Sequence, residues 1–380
     1  MAAAIVLAGL AVVGVVGYHA ASRDREYRRL IQQGDEALAE DQTYGAIEAF
    51  SGALALKPSS TLAHLKRGEA YRRRGDLQTA LRDLRSASQL DPTATRPWEE
   101  AGDVNYALRR DARAAEAYEA YLRLDERSPR VLYKLGLTRH RQGNVTGAIT
   151  ALQTAVEIDP GLAEVRYLLG LCLIERNRMA EAIEALEEAV ELRPALAPPR
   201  EVLAGLHASE GRYEAQLQQL EALAVLEPQR GDRHISLGLA YAAAGHADLA
   251  VLSLGRAAER LPNQPAIYVA LGRVWLQAAE ERGDQAALRK AIEALEPIAT
   301  HSAANSDALA LYGRALLVAG DAERAEPLLE AAAARLPVES ETLRSLALAA
   351  WQLHHLGLAE QALAQHDVLF GPGQIVAGPQ

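Results

Sequence analysis

The sequence predicts an all-α protein, a solenoid of about ten helix pairs behind one membrane-spanning helix. Three observations carry this. A pattern 34 residues long recurs from residue 27 to residue 373. Apolar residues within each copy recur at helical spacing, and no run alternates as a strand would. Residues 2–21 hold no Asp, Glu, Lys or Arg.

The first element is Ala2–Ala21, AAAIVLAGLAVVGVVGYHAA. Twenty helical residues rise about 30 Å, the thickness of a bilayer's hydrocarbon core. Residues 1–22 are therefore expected to be an anchor, with Tyr18 and His19 near one interface. Arg23, Arg25, Arg28 and Arg29 follow, and no charged side chain precedes. Positive flanks stay in the cytoplasm, so the rest of the chain is expected there. The alternative is a cleaved secretory signal, with Ala20-Ala21-Ser22 as a small-x-small site and a periplasmic or secreted product. Against it, the segment lacks a positive n-region. Residues 23–26 read as a short charged junction.

The repeated units span 27–60, 61–94, 95–128, 129–162, 163–196, 197–230, 231–264, 265–305, 306–339 and 340–373. Each reads as two short amphipathic helices around a tight turn. In 129–162, Leu132, Leu135 and Gly136 share one face of the first helix. Gly143-Asn144 breaks the chain. Ala148, Leu152 and Ala155 share a face of the second helix, and Asp159-Pro160 stops it, since proline lacks an N–H and disfavours helix in the residue before it. Numbering each unit from its own first residue, position 8 is glycine in eight units, with Ala204 and Ala347 in the other two. Position 20 is alanine in every unit but one, which has Gln216. Position 32 is proline in seven. Two helices that cross at close range need small residues where their axes approach. Large apolar residues at positions 4, 7, 11 and 24 are expected beside that contact. The eighth unit is longer by seven residues, read as a longer helical hairpin turning at Gly283-Asp284. The end units are atypical, as stack ends often are. Three prolines, Pro194, Pro198 and Pro199, mark the one suspect joint. Residues 374–380 have the composition of a disordered tail.

This period and these columns resemble the tetratricopeptide repeat family over about nine-tenths of the chain. The resemblance implies a right-handed superhelix whose first helices line a concave groove, with positions 2, 5, 9, 12 and 13 pointing into it. The groove residues it implies are Leu65, Glu69, Arg72 and Arg73 in the second unit and Asp103 and Tyr106 in the third. The fourth adds Arg130, Tyr133, Leu137, His140 and Arg141, and the fifth Tyr167, Leu171 and Ile174. Later grooves are blander. Tyrosine and arginine recur at protein interfaces, so the expected partner is another protein, with an acidic segment favoured. Chaperone-binding members of the family clamp a C-terminal carboxylate with a Lys/Asn/Arg set. Leu65, Glu69 and Glu100 occupy the corresponding positions here, so no clamp is expected. One membrane helix before a repeat array is similar in architecture to bacterial lipopolysaccharide assembly regulators, without their cysteine-rich metal domain.

Composition sets the remaining bounds. The chain of 380 residues is 49% hydrophobic with a net charge of −10. Residues 1–150 hold 22 Lys/Arg against 19 Asp/Glu, and residues 151–380 hold 18 against 31. The one cysteine, Cys172, excludes an intrachain disulfide. No GxxxxGK[ST], GxSxG, HExxH or paired CxxC occurs. His354, His355 and His366 are too few for a metal centre. The expected function is a non-enzymatic, membrane-anchored scaffold for a bacterial envelope or membrane-associated complex. It needs no cofactor or metal and binds no nucleic acid. The alternatives are a periplasmic or secreted assembly factor and an accessory subunit of an envelope transferase.

Overall fold

A computed structural model describes residues 2–301 and 305–371, with side chains from residue 18 onward. The described residues form twenty α-helices and no strand. The chain divides into two compact units, residues 1–194 and 195–380. The boundary falls among the three prolines at 194, 198 and 199.

Unit one holds five helix pairs: α1 Ala2–Ala39 with α2 Thr43–Leu56, α3 Thr61–Arg74 with α4 Leu77–Leu90, α5 Thr95–Ala107 with α6 Asp111–Leu122, α7 Pro129–Arg141 with α8 Val145–Ile158, and α9 Ala163–Glu175 with α10 Met179–Leu192. Unit two holds five more: α11 Ala197–Ser209 with α12 Tyr213–Leu226, α13 Gly231–Ala243 with α14 Ala247–Arg260, α15 Pro265–Arg282 with α16 Gln285–Ala299, α17 Ser306–Val318 with α18 Ala322–Ala333, and α19 Ser340–Gln352 with α20 Leu356–Phe370. The extra length of the eighth pair lies in α15 and α16, of 18 and 15 residues.

The small-residue columns sit at the crossings. A Cβ built on the position-8 glycines would come within 2.3–3.0 Å of the position-24 side chain on the partner helix, as Gly136 would with Leu152. Position 20 is wholly buried at Ala46, Ala80, Ala114, Ala148, Ala182, Ala250, Ala291 and Ala325. The turns also share one device. Position 15, or its equivalent in the long eighth pair, has a left-handed backbone in all ten, with φ between 56° and 87°. Glycine supplies it in six, and Asp41, Arg109, Asn177 and His354 in the rest. Left-handed backbone costs a side chain roughly 1–2 kcal/mol, which is why glycine dominates.

Two expectations need correction. The segment 23–26 is not a junction, because α1 runs unbroken from Ala2 to Ala39. No glycine or proline lies between Tyr18 and Gln33 to stop it. Arg23 donates to the Leu56 carbonyl at 2.7 Å, Lys57 pairs with Asp24, and the Tyr27 and Ser60 hydroxyls share a 2.6 Å hydrogen bond, so the segment packs on the end of α2. Position 4 is also often polar. Its side chain donates to the carbonyl of the position-32 proline six residues earlier, from His64, Trp98, His234 and Tyr268, and Arg166 does the same. The side chains of the expected anchor up to residue 17 and the expected disordered tail at 374–380 lie outside the described residues. Among the described residues, no helix is long and apolar enough to cross a membrane.

Candidate protein-binding face

Within each unit the first helices of successive pairs touch directly. α3 meets α5 and α7 meets α9 in unit one, while α13, α15, α17 and α19 form a continuous series in unit two. Their outward side chains therefore make one face per unit, the face on which the expected groove residues were placed.

In unit one this face is closed by its own charges. Glu99 accepts from Arg130 through both carboxylate oxygens and from Lys134 Nζ at 2.7 Å. Lys134 also reaches Asp103 at 2.7 Å, and Asp103 accepts from the Tyr118 hydroxyl at 2.7 Å. Arg72 lies 2.9 Å from Glu100, Arg96 lies 2.8 Å from Glu69, and Lys66 bonds Asp35 at 2.6 Å. Arg141 stacks 3.4 Å over the Tyr106 ring, bonds the Tyr106 carbonyl and pairs with Asp111. His140 bonds Glu175 at 2.6 Å, and Arg73 donates to the Leu38 carbonyl at 2.8 Å.

The expected groove residues thus divide. Leu65 is buried in the core with Leu84 and Val104, and Glu69 is buried with its carboxyl pushed above the usual range by burial. Neither is open to a partner, which corrects both. Position 5 of the second unit turns inward because Leu65 fills the space beside α4. Arg72, Arg73, Asp103, Tyr106, Arg130, His140 and Arg141 hold one repeat to the next. Tyr133, Leu137 and Ile174 are half-buried against the core of α7–α9, and burial raises the Tyr133 phenol. Tyr167 and Leu171 are half-buried beside them.

Sequence reasoning missed the pairing itself, although it left a signal. A carboxylate at position 5 or 9 meets a cation at position 2 or 6 of the next unit, an i,i+31 or i,i+35 spacing. Asp35–Lys66, Glu99–Arg130, Glu99–Lys134 and Asp103–Lys134 all follow it. Cys172 is buried, with its thiol pushed up to about 11 chiefly by burial, the opposite of a nucleophile's environment. His355 pairs with Glu326 at 2.8 Å, and buried His366 bonds Ser340 at 2.9 Å. Among the described residues no group of His, Cys, Asp and Glu is arranged to hold a metal.

Comparison with known proteins agrees on the repeat. Residues 18–198 match the model of the Cilia and flagella-associated protein 70 C-terminal domain, a tetratricopeptide family. Small glutamine-rich tetratricopeptide repeat-containing protein 2 of Mycosarcoma maydis is 28% identical over 97 residues, 26% of this chain and 28% of the relative. The Hsp70-Hsp90 organizing protein of Triticum aestivum is 25% identical over 101 residues, 27% of this chain and 17% of the relative. The chain therefore spans less than a third of either. Among solved structures, the C-terminal part of a TPR repeat-containing protein from Cytophaga hutchinsonii superposes with a TM-score of 0.56 at 17% identity, over 63% of this chain and 99% of that one, a likeness of fold. With the period, the crossings and the turns, these likenesses make the chain similar to tetratricopeptide repeat proteins, by family model over residues 18–198 and by fold over more of its length.

Proposed function

We propose that the chain is a non-enzymatic scaffold that holds other proteins on its first-helix faces. We further propose that residues 2–21 tether it to a membrane with the array on the cytoplasmic side, where it serves a bacterial envelope or membrane-associated complex. The observation that carries the scaffold reading is the division of labour within each pair. Small columns at positions 8 and 20 are consumed by packing within the pair, while adjoining first helices line up an extended face of charged, polar and aromatic side chains. A relative whose name is that of an organizing protein is similar to this chain over 101 residues. The tether reading rests on twenty uncharged residues followed by four arginines.

The test has two arms. Full-length protein should stay in the membrane pellet after alkaline carbonate washing, and deleting residues 1–22 should release it. Recovery of the full chain in the soluble fraction contradicts the tether. In the second arm, the released array should still co-purify the partners of the full chain in fixed ratio. No stoichiometric partner in either preparation contradicts the scaffold.

A further inference from the structure

The first-helix face of unit two carries a hollow beside the Glu201–Arg233 ion pair. It has a volume of 500 Å³ and lies between α11, α12 and α13. Gly205 and Ala208 form one wall, Leu239 another, and Leu220 and Leu223 the floor. Two departures from the repeat coincide there. Gly205 stands at position 9, which holds Leu137 in the fourth unit. A Cβ built on it meets nothing within 4 Å, unlike every other first-helix glycine among the described residues. Glycine inside a helix costs roughly 0.5–1 kcal/mol relative to alanine, and here no close packing returns that cost. Gln216 is the exception in the alanine column. It lines the hollow half-buried, and its side-chain amide makes no hydrogen bond among the described residues.

The surroundings are acidic. Residues 195–380 hold 14 Lys/Arg against 22 Asp/Glu, a net of −8. Glu201 lines the hollow with its side chain 45% exposed and pairs with buried Arg233, which lines it too; through Glu227 and Arg230 this cluster reaches Asp232, three carboxylates on two arginines, one negative charge in excess. We infer that the hollow binds a basic, aliphatic segment of another protein. An aliphatic side chain fills the space over Gly205. The Gln216 amide bonds the segment's backbone, and a neighbouring lysine or arginine meets the carboxylates of that cluster. This rests on the reading of first-helix faces as binding surfaces. It moves the principal site from the second to fifth units to the sixth and seventh, and it reverses the charge of the partner from the acidic one expected.

The probe is a displayed library of random 12-residue peptides, selected on the full chain in detergent. Binders should converge on an aliphatic residue beside Lys or Arg. They should bind at least about tenfold more weakly to Gly205→Leu and to Gln216→Ala, and unchanged to Tyr133→Ala/Arg141→Ala. Gly205→Leu should melt no lower than the parent, because it replaces a helix-interior glycine over open space. Binders that ignore both hollow variants but are lost with Tyr133→Ala/Arg141→Ala overturn this inference and leave the first-helix reading standing. Binders indifferent to all three variants, or no enrichment at all, overturn both. An acidic consensus overturns the assigned partner.

Discussion

Gly136 shows how much a single residue decides. A Cβ there would lie 2.7 Å from Leu152 Cγ, closer than real carbon atoms approach. Gly136→Leu is expected to destabilise the α7–α8 crossing by about 1–3 kcal/mol or more. Hydrogen exchange should rise in that pair and its neighbours, since coupling in a repeat stack runs between neighbours. An even rise across residues 61–194 would contradict it. Tyr118 plays the matching role from the second helix of its pair. It fills the space above Gly102 and donates to Asp103, and burial first, then that hydrogen bond, raises its phenol far above the usual range. A group raised in the folded state contributes stability that is complete below its unfolded pKa and drains as pH rises through the folded one. Stability should therefore fall above about pH 10, and Tyr118→Phe should flatten that fall while weakening the fold at neutral pH by about 1 kcal/mol. Tyr241, pushed up to about 12 by burial and then Glu221, should add to the same alkaline loss. Denaturant midpoints from pH 7 to 11 measure both effects, and equal slopes for parent and variant would refute the assignment. The glycine and alanine columns were legible in the sequence because packing admits nothing else. The fates of Arg72, Arg130 and Arg141 were not. A face position fixes where a side chain starts, whereas its partner lies one repeat away on another helix.

At the scale of the element, the turn is as informative as the helix. Asn144, Asp76 and Asp321 each cap a second helix by accepting from the N–H three residues on, and the residue before each is a left-handed glycine. The third turn keeps the geometry without the residue, since exposed Arg109 sits at φ 59°. Arg109→Gly is expected to stabilise the α5–α6 pair by up to about 1 kcal/mol, the left-handed cost less glycine's extra unfolded entropy. A fall in melting temperature would show that the arginine side chain matters more than its backbone. Gly143 and Gly283 announced their turns in the sequence. The left-handed backbone at Asp41, Arg109, Asn177 and His354 left no mark in the sequence, because at a side-chain-bearing residue it is imposed by the helices on either side. The unbroken α1 was missed for a related reason. A change from apolar to charged residues looks like a boundary, yet neither Ser22 nor Asp24 stops a helix whose next turns pack on α2.

At the scale of the molecule, each unit carries its own apolar cores. Those of unit one centre on Phe50, Leu84 and Leu152, and those of unit two on Leu254 and Leu329. Residues 195–380 expressed alone are therefore expected to fold, with a cooperative melt and the helical signal of their ten helices. A molten product would contradict the division at Pro194. The period, the pair count and the proline-marked joint were all legible in the sequence. The location of the open part of the face was not, because an interior hollow is made by residues that are missing, and Gly205, Ala208 and Gln216 each look like mild drift from a consensus. The central claim is that partners dock on the first helices and not on the second. Site-specific photo-crosslinking in the protein's own cells tests it most directly, with the reactive residue at Leu239 and Leu348 on α13 and α19, and at Val225 and Val368 on α12 and α20. All four are exposed apolar positions, at 49%, 47%, 79% and 84%, so surface hydrophobicity cannot favour the first pair. The account predicts discrete adducts from Leu239 and Leu348 and none from Val225 or Val368; adducts confined to Val225 and Val368 would contradict it.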